Sequence, residues 1–373
     1  MGADDDDDRG SGTRLQHVGS FFVQLNGVTG DTSAEILDLT SNGKLMVYTD
    51  AVGGVIGFVN TSDPSKPQPL GTVPAAGVTS AAIVRDRWVI VAVSTGASFT
   101  APDGELRVYD LGTRALVRTI DLEGQPDSIA ISPNGSRYAA IVIENQRDEE
   151  LNDGLIPQLP AGNLKVLDLK DNRPDRWSMR TVALTGLADV APTDPEPEYV
   201  DINARDQAVV SLQENNHLVI VDLKSARVTR DFPAGSVTLK KVDATEEEIG
   251  PQGAGVIEQD ETITKRREPD AVQWIDNDTF ATANEGDYAD ATGVEGGSRG
   301  FTLFSDRGKV EFESGASLEH AITRIGHSRG PLREQGRRAR GPGGRYVARA
   351  HPPVRGRRAC ERGRRLRRVE AVA

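Results

Sequence analysis

The feature that most constrains this chain is a strand layout that recurs five times in register. First strands open near Ser33 (SAEILDL), Thr79 (TSAAIV), Asp127 (DSIAIS), Glu198 (EYVDIN) and Asp270 (DAVQWI). A turn and a second apolar run follow each (KLMVYT, RWVIVAV, RYAAIVI, AVVSL, TFATA). A polar loop then leads to a third run (VIGFVNT, ELRVYDL, NLKVLDL, HLVIVDL, FTLFSD), often with a fourth behind it. The openings lie 46, 48, 71 and 72 residues apart, and a four-stranded propeller blade takes about 40–50 residues. Each long interval carries an insertion. One spans residues 147–161; the other, 236–267, is rich in Glu and Gly and reads as a flexible excursion. Runs such as VIVAV read as strands buried on both faces. The fold class is therefore all-β, a β-propeller of four-stranded blades over residues 21–326, with about five blades present. One β-sandwich, or two, is the competing architecture, and the strand register favours the propeller. Helices should be almost absent.

Composition narrows the function classes. No apolar run approaches the ~18 residues of a membrane-spanning helix. Aromatic residues make up only 5%, so the core rests on Val, Ile, Leu and Ala. The single cysteine, Cys360, excludes an intramolecular disulfide framework and a Cys-rich metal site. The net charge of −12 is the sum of two unlike parts. From His327 onward there are 15 Arg and 3 Glu, a net of +12, which leaves −24 on residues 1–326. So acidic a body should repel nucleic acid and favour cations. The Arg-rich segment 327–373 reads as a tail without a stable fold, with a basic nucleic-acid arm as its rival. Residues 1–20, with five consecutive aspartates, read as a disordered acidic arm. Met1–Arg9 has neither a basic stretch nor an apolar one, so no secretory signal is visible.

In a propeller the loop leading into each first strand and the loop joining strands two and three emerge on one face. The lead-in loops read Gln125-Pro126-Asp127, Glu196-Pro197-Glu198 and Glu268-Pro269-Asp270. The two-to-three loops read Glu144-Asn145-Gln146-Arg147-Asp148-Glu149-Glu150, Gln213-Glu214-Asn215-Asn216 and Asn284-Glu285-Gly286-Asp287-Tyr288-Ala289-Asp290. One face thus gathers acids and amides, and proline holds the following acid in a repeated place. Oxygen-rich clusters suit hard cations. The candidate ligand-binding residues are Asp127, Glu144, Asn145, Arg147, Glu198, Glu214, Asn215, Asp270, Asn284, Glu285 and Arg299. Within that face Glu144, Asp148, Glu214, Glu285 and Asp287 are candidate Ca2+ ligands. His217 and His320 are the only histidines near it, which argues against zinc. Arg147 could grip a phosphate, but its acidic neighbours favour a structural ion pair. Ser128 has no histidine near it in sequence and reads as structural. No Gly-x-Ser-x-Gly elbow and no phosphate-cradling loop is present. The turns on the opposite face, such as Ser41-Asn42-Gly43 and Asp306-Arg307-Gly308, are ordinary turn chemistry.

The segment IENQRDEELNDGLIPQLPA at 143–161 is distinctive. With EPEYV at 196–200, LQENN at 212–216, TANEGD at 282–287, SRGF at 298–301 and SLEH at 317–320, it resembles the choice-of-anchor I family. That family is similar to the mesenchyme-specific cell surface glycoprotein of biomineralising animals, and some bacterial members carry an alkaline phosphatase label. The resemblance implies a propeller, an extracellular or cell-surface location and a link to calcium-rich surfaces. It also implies that the sequence after Gly326-His327 should continue roughly as HYPEGRSENKG into further blades. The chain reads HSRGPLREQG instead, as a frameshift would produce, and the ring should then be incomplete. The resulting expectation is a non-catalytic surface propeller whose acidic face takes a divalent cation or another ligand. A metal-dependent phosphomonoesterase is the alternative, and a scaffold for proteins or surface polymers the second alternative.

Overall fold

A computed structural model describes residues 16–243, 259–285, 288–294 and 296–325. The expectations for most of the acidic arm, the middle of the 236–267 insertion, Asp287 and the Arg-rich tail lie outside the described residues.

Five four-stranded antiparallel sheets follow one another, each a simple meander. The first holds β1 (Ala34–Leu39), β2 (Leu45–Asp50), β3 (Val55–Asn60) and β4 (Gln68–Pro74). The second holds β5 (Val78–Val84), β6 (Trp88–Ser94), β7 (Gly104–Asp110) and β8 (Leu116–Asp121). The third holds β9 (Pro126–Ile131), β10 (Tyr138–Ile143), β11 (Asn163–Asp168) and β12 (Ser178–Ala183). The fourth holds β13 (Pro197–Ile202), β14 (Gln207–Leu212), β15 (His217–Asp222) and β16 (Arg227–Pro233). A separate hairpin, β17 (Ser236–Val242) and β18 (Glu261–Arg266), precedes the fifth sheet. That sheet holds β19 (Pro269–Trp274), β20 (Thr279–Asn284), β21 (Phe301–Ser305) and β22 (Val310–Glu313). The ends of the 236–267 insertion are therefore paired strands, not a loose excursion. One α-helix, α1 (Ser317–Arg324), closes the described residues.

First strands pack in succession, β1 on β5, β5 on β9, β9 on β13 and β13 on β19. Comparable packing between β19 and β1 is not found among the described residues. This inner-strand succession is the propeller arrangement. The apolar layers lie between adjacent sheets, which explains the two-faced strands. In β10, Ala139, Ile141 and Ile143 face the second sheet's Ile90 and Leu106, while Ala140 and Val142 face the fourth sheet's Val210 and Val219. Period-two alternation puts each face of one strand into a different layer. Neighbouring sheets are also stitched by single bonds. The Ile83 N–H donates to Asp38 Oδ2 at 2.8 Å, Ile129 N–H to Ser80 Oγ at 3.3 Å and Trp274 N–H to Asp201 Oδ2 at 2.8 Å.

Glycine is required where a third strand meets the next lead-in loop. A Cβ on Gly104 would press on Pro126 and lie 2.5 Å from the Gly124 carbonyl oxygen. One on Gly162 would press on Pro197 and lie 2.5 Å from the Ile143 carbonyl oxygen. Gly162→Ala should cost about 1–3 kcal/mol by overpacking. A urea midpoint unchanged from the parent protein would contradict this.

Candidate functional site

The lead-in prolines open the first strands, so the residues on either side of them sit at the strand ends. Pro126 pairs with Ile143, Pro197 with Leu212 and Pro269 with Asn284. This register brings each two-to-three loop against its lead-in loop. Asn145 and Asn215 hold the two together. Asn145 Oδ1 accepts from Gln125 N–H at 2.9 Å and its Nδ2 donates to the Ala161 carbonyl at 3.1 Å. Asn215 Oδ1 accepts from Glu196 N–H at 2.9 Å and its Nδ2 donates to the Asp194 carbonyl at 3.0 Å. Both amides thus spend their oxygen and nitrogen on backbone groups of the two loops. Asn284 is likewise committed: its Oδ1 accepts from Thr282 Oγ1 and its Nδ2 donates to Thr302 Oγ1 inside the fifth sheet.

The acids gather around Arg147. Its Nη1 donates to Glu196 Oε2 at 3.3 Å and to Glu214 Oε1, and its guanidinium lies 5.2 Å from the Tyr288 ring centroid. Arg147, Glu196 and Glu214 are all buried. The ion-pair reading of Arg147 is therefore the one the structure carries. One positive charge faces several acids. Burial, then Glu214, pushes the Glu196 carboxyl up to about 9 against the opposing pull of Arg147. Burial raises Glu144 well above its ordinary value, with Asp127, Glu214 and Glu196 adding to the effect. Glu198 is raised well above as well, by burial first and then by Glu144, Glu214, Asp127 and Asp270. It keeps some solvent access, yet protein encloses it on most sides. Five of the sequence candidates, Asp127, Glu144, Glu198, Glu214 and Asp270, thus share one electrostatic site with Arg147.

The 147–161 insertion folds back beside this site. Gln158 organises it: Oε1 accepts from Asp148 N–H at 3.0 Å, and Nε2 donates to the carbonyls of Asp148, Leu151 and Leu155. The Gln158 N–H reaches Asp194 Oδ2 at 2.5 Å, and Ile156 N–H reaches the Tyr288 hydroxyl at 3.4 Å. Burial raises Asp194 to about 6.

Of the Ca2+ set proposed from the sequence, Asp287 lies outside the described residues. Asp148 caps its own loop through Glu150 N–H at 3.0 Å. Glu285 is exposed, and its charge acts on Arg299 together with that of Glu319 on α1. Burial lowers the Arg299 pKa, so this arginine belongs to a second cluster, where the ring of His320 bonds the Lys241 carbonyl at 2.6 Å. His217 pairs with Asp231 at 3.0 Å within the fourth sheet. Among the described residues no group of three or more His, Cys, Asp or Glu side chains is arranged to hold a metal ion. Sequence reasoning did not single out Glu196 or Tyr288. The repeated Pro-acid lead-in placed Glu196 on that face and the loop after β20 placed Tyr288 there, but neither was assigned a role.

Residues 35–296 match the choice-of-anchor I domain. The chain belongs to the choice-of-anchor I family. That match covers the first four sheets, the hairpin and the start of the fifth, and membership points to a surface-associated propeller. Comparison with curated proteins returned no match. Among solved structures, Kuenenia stuttgartiensis Hydrazine Synthase is similar at 11% identity and a TM-score of 0.43, over 66% of this chain and 67% of that one. No helix among the described residues of this choice-of-anchor I chain is long and apolar enough to cross a membrane.

The crowded acids make stability depend on pH. Unfolded, Glu196 ionises near 4.5; folded, it holds its proton up to about 9. Unfolding therefore releases a proton across that window, and stability falls as pH rises through it. Each such group contributes a slope of about 1.4 kcal/mol per pH unit. The urea midpoint should drop between pH 6 and pH 8, and Glu196→Gln should flatten the drop. A midpoint that rises over this range would refute the assignment.

Proposed function

We propose that this choice-of-anchor I propeller is a non-catalytic cell-surface protein that takes a positively charged ligand where the inner strands of its third, fourth and fifth sheets end. One observation carries the reading: Asp127, Glu144, Glu196, Glu198, Glu214 and Asp270 crowd together with Arg147 as the guanidinium among them. Acids that raise one another's pKa are relieved by an added cation, and oxygen donors suit hard divalent ions as well as organic cations. A phosphomonoesterase is less well supported. Arg147 faces carboxylates that would repel phosphate, and no activated nucleophile stands beside it among the described residues.

The test is thermal and chemical unfolding at fixed ionic strength with Ca2+, Mg2+, an organic diamine and a chelator. A ligand of the folded state at about 100 times its Kd adds roughly 2.7 kcal/mol. Stabilisation by at least one cation is expected. No shift with any of them would reject the reading, and turnover of a generic phosphate monoester abolished by Glu144→Gln would promote the hydrolase instead.

A further inference from the structure

We infer that the carboxylates of Glu144 and Glu198, flanked by Asp127 and Asp270, seat one organic cation, a guanidinium or a primary ammonium group. This rests on the cation-binding reading above and names the chemistry of its ligand. Glu144 follows β10, which packs on β13; β13 carries Glu198 and packs on β9 and β19, which carry Asp127 and Asp270. Three consecutive sheets thus present acids at one place.

The decisive residue is Glu144. Its side chain is 6% exposed, and its carboxylate takes no hydrogen bond or ion pair from any described residue. A carboxylate that deep normally has partners, because leaving it bare forfeits its hydration without return. Its charge is felt by Glu198, and it feels those of Asp127, Glu196 and Glu214, so it is aimed into the cluster. Glu198 likewise takes no side-chain hydrogen bond among the described residues. The arrangement asks for a donor from outside.

Two observations select the class of donor. The acids act on one another's charge, and among the described residues no three of them are arranged to hold a metal ion, an arrangement a polyatomic cation with several N–H donors can still bridge. The same cluster already holds one such group. Glu196 and Glu214 grip the Arg147 guanidinium, which lies over the Tyr288 ring. Planar or tetrahedral N–H donors match paired carboxylates well. Burial first, and then the neighbouring acids, push both Glu144 and Glu198 well above the ordinary carboxylate range, which favours their protonated forms in the free protein. Seating a cation converts carboxylic acid to carboxylate and sends the proton to solvent.

The test is titration calorimetry of the full chain at neutral pH and about 0.15 M salt, where long-range attraction is screened beyond about 8 Å. The probes are agmatine, an acetylated and amidated Gly-Arg-Gly peptide, and Ca2+, each in two buffers of different ionisation enthalpy. Agmatine or the peptide should bind with release of protons. The Glu144→Gln, Glu198→Gln double variant, checked for an intact melt, should weaken binding by about tenfold or more and abolish proton release. A tighter peptide identifies a partner's side chain as the source, and a tighter agmatine a free polyamine. Binding of Ca2+ without either organic probe would overturn this inference and leave the cation-binding reading standing. Organic binding unchanged in the double variant would overturn it as diffuse surface attraction. Failure of every cation would remove both readings.

Discussion

Arg147→Met is expected to destabilise the protein by about 3–5 kcal/mol, the cost of breaking a buried ion pair from one side. The substitution keeps most of the side-chain volume and removes the guanidinium that pairs with Glu196 and Glu214. Both acids stay buried, so their charge is left without compensation. The loss should shrink at low pH, because protonated acids no longer need the arginine. Glu196 holds its proton up to about 9 even with Arg147 beside it, so the recovery should already begin above neutrality as pH falls through that value. Arg147→Lys should rescue part of the stability but not all of it, since an ammonium lacks the planar guanidinium that lies over the Tyr288 ring. Urea unfolding at several pH values checks this. A loss below about 1 kcal/mol at neutral pH, the range of exposed pairs, would show that the cluster is solvated after all.

The second large effect lies in the fifth sheet. Phe280 is fully buried and stands 5.7 Å from Phe304, 5.2 Å from Trp274 and 6.4 Å from Phe232, centroid to centroid. Phe280 is a member of β20 and Phe304 of β21, whereas Phe232 comes from β16 of the fourth sheet. Phe280→Ala should therefore cost about 3–5 kcal/mol, from lost burial plus the cavity left among rings that cannot collapse. It should also loosen the fifth sheet against the fourth. Amide exchange in β19–β22 is expected to rise more than in β5–β8, where the core is separate. Uniform acceleration throughout the chain would argue against local packing as the cause.

The strand plan was readable because it is local. Alternating apolar residues such as those of VIVAV and YAAIVI announce two buried faces, and turn residues mark the joints between them. The order β1 to β4 and its repetition need nothing more. The gathering of Asp127, Glu144, Glu198, Glu214 and Asp270 was also foreseeable, since blade geometry alone puts those loops on one side. The roles of particular side chains were not. That Asn145 and Asn215 clamp the lead-in loops through their backbone N–H groups depends on contacts 20 and 19 residues away. Arg147 finds Glu196 and Glu214 at separations of 49 and 67 residues, beyond the reach of any local pattern.

By itself the sequence determined an all-β chain of repeated four-stranded sheets with an acidic face. The tertiary structure decided which of those acids lose their water. Glu144 and Glu285 both follow a second strand, and nothing in their neighbourhoods separates them on the page of letters. Glu144 is buried and Glu285 is exposed. The difference is one of neighbours: β10 lies between packed sheets on both sides, while β20 belongs to the last sheet of packed inner strands among the described residues. Desolvation depends on what stands across the junction, and that is a property of the assembled sheets, not of any one segment.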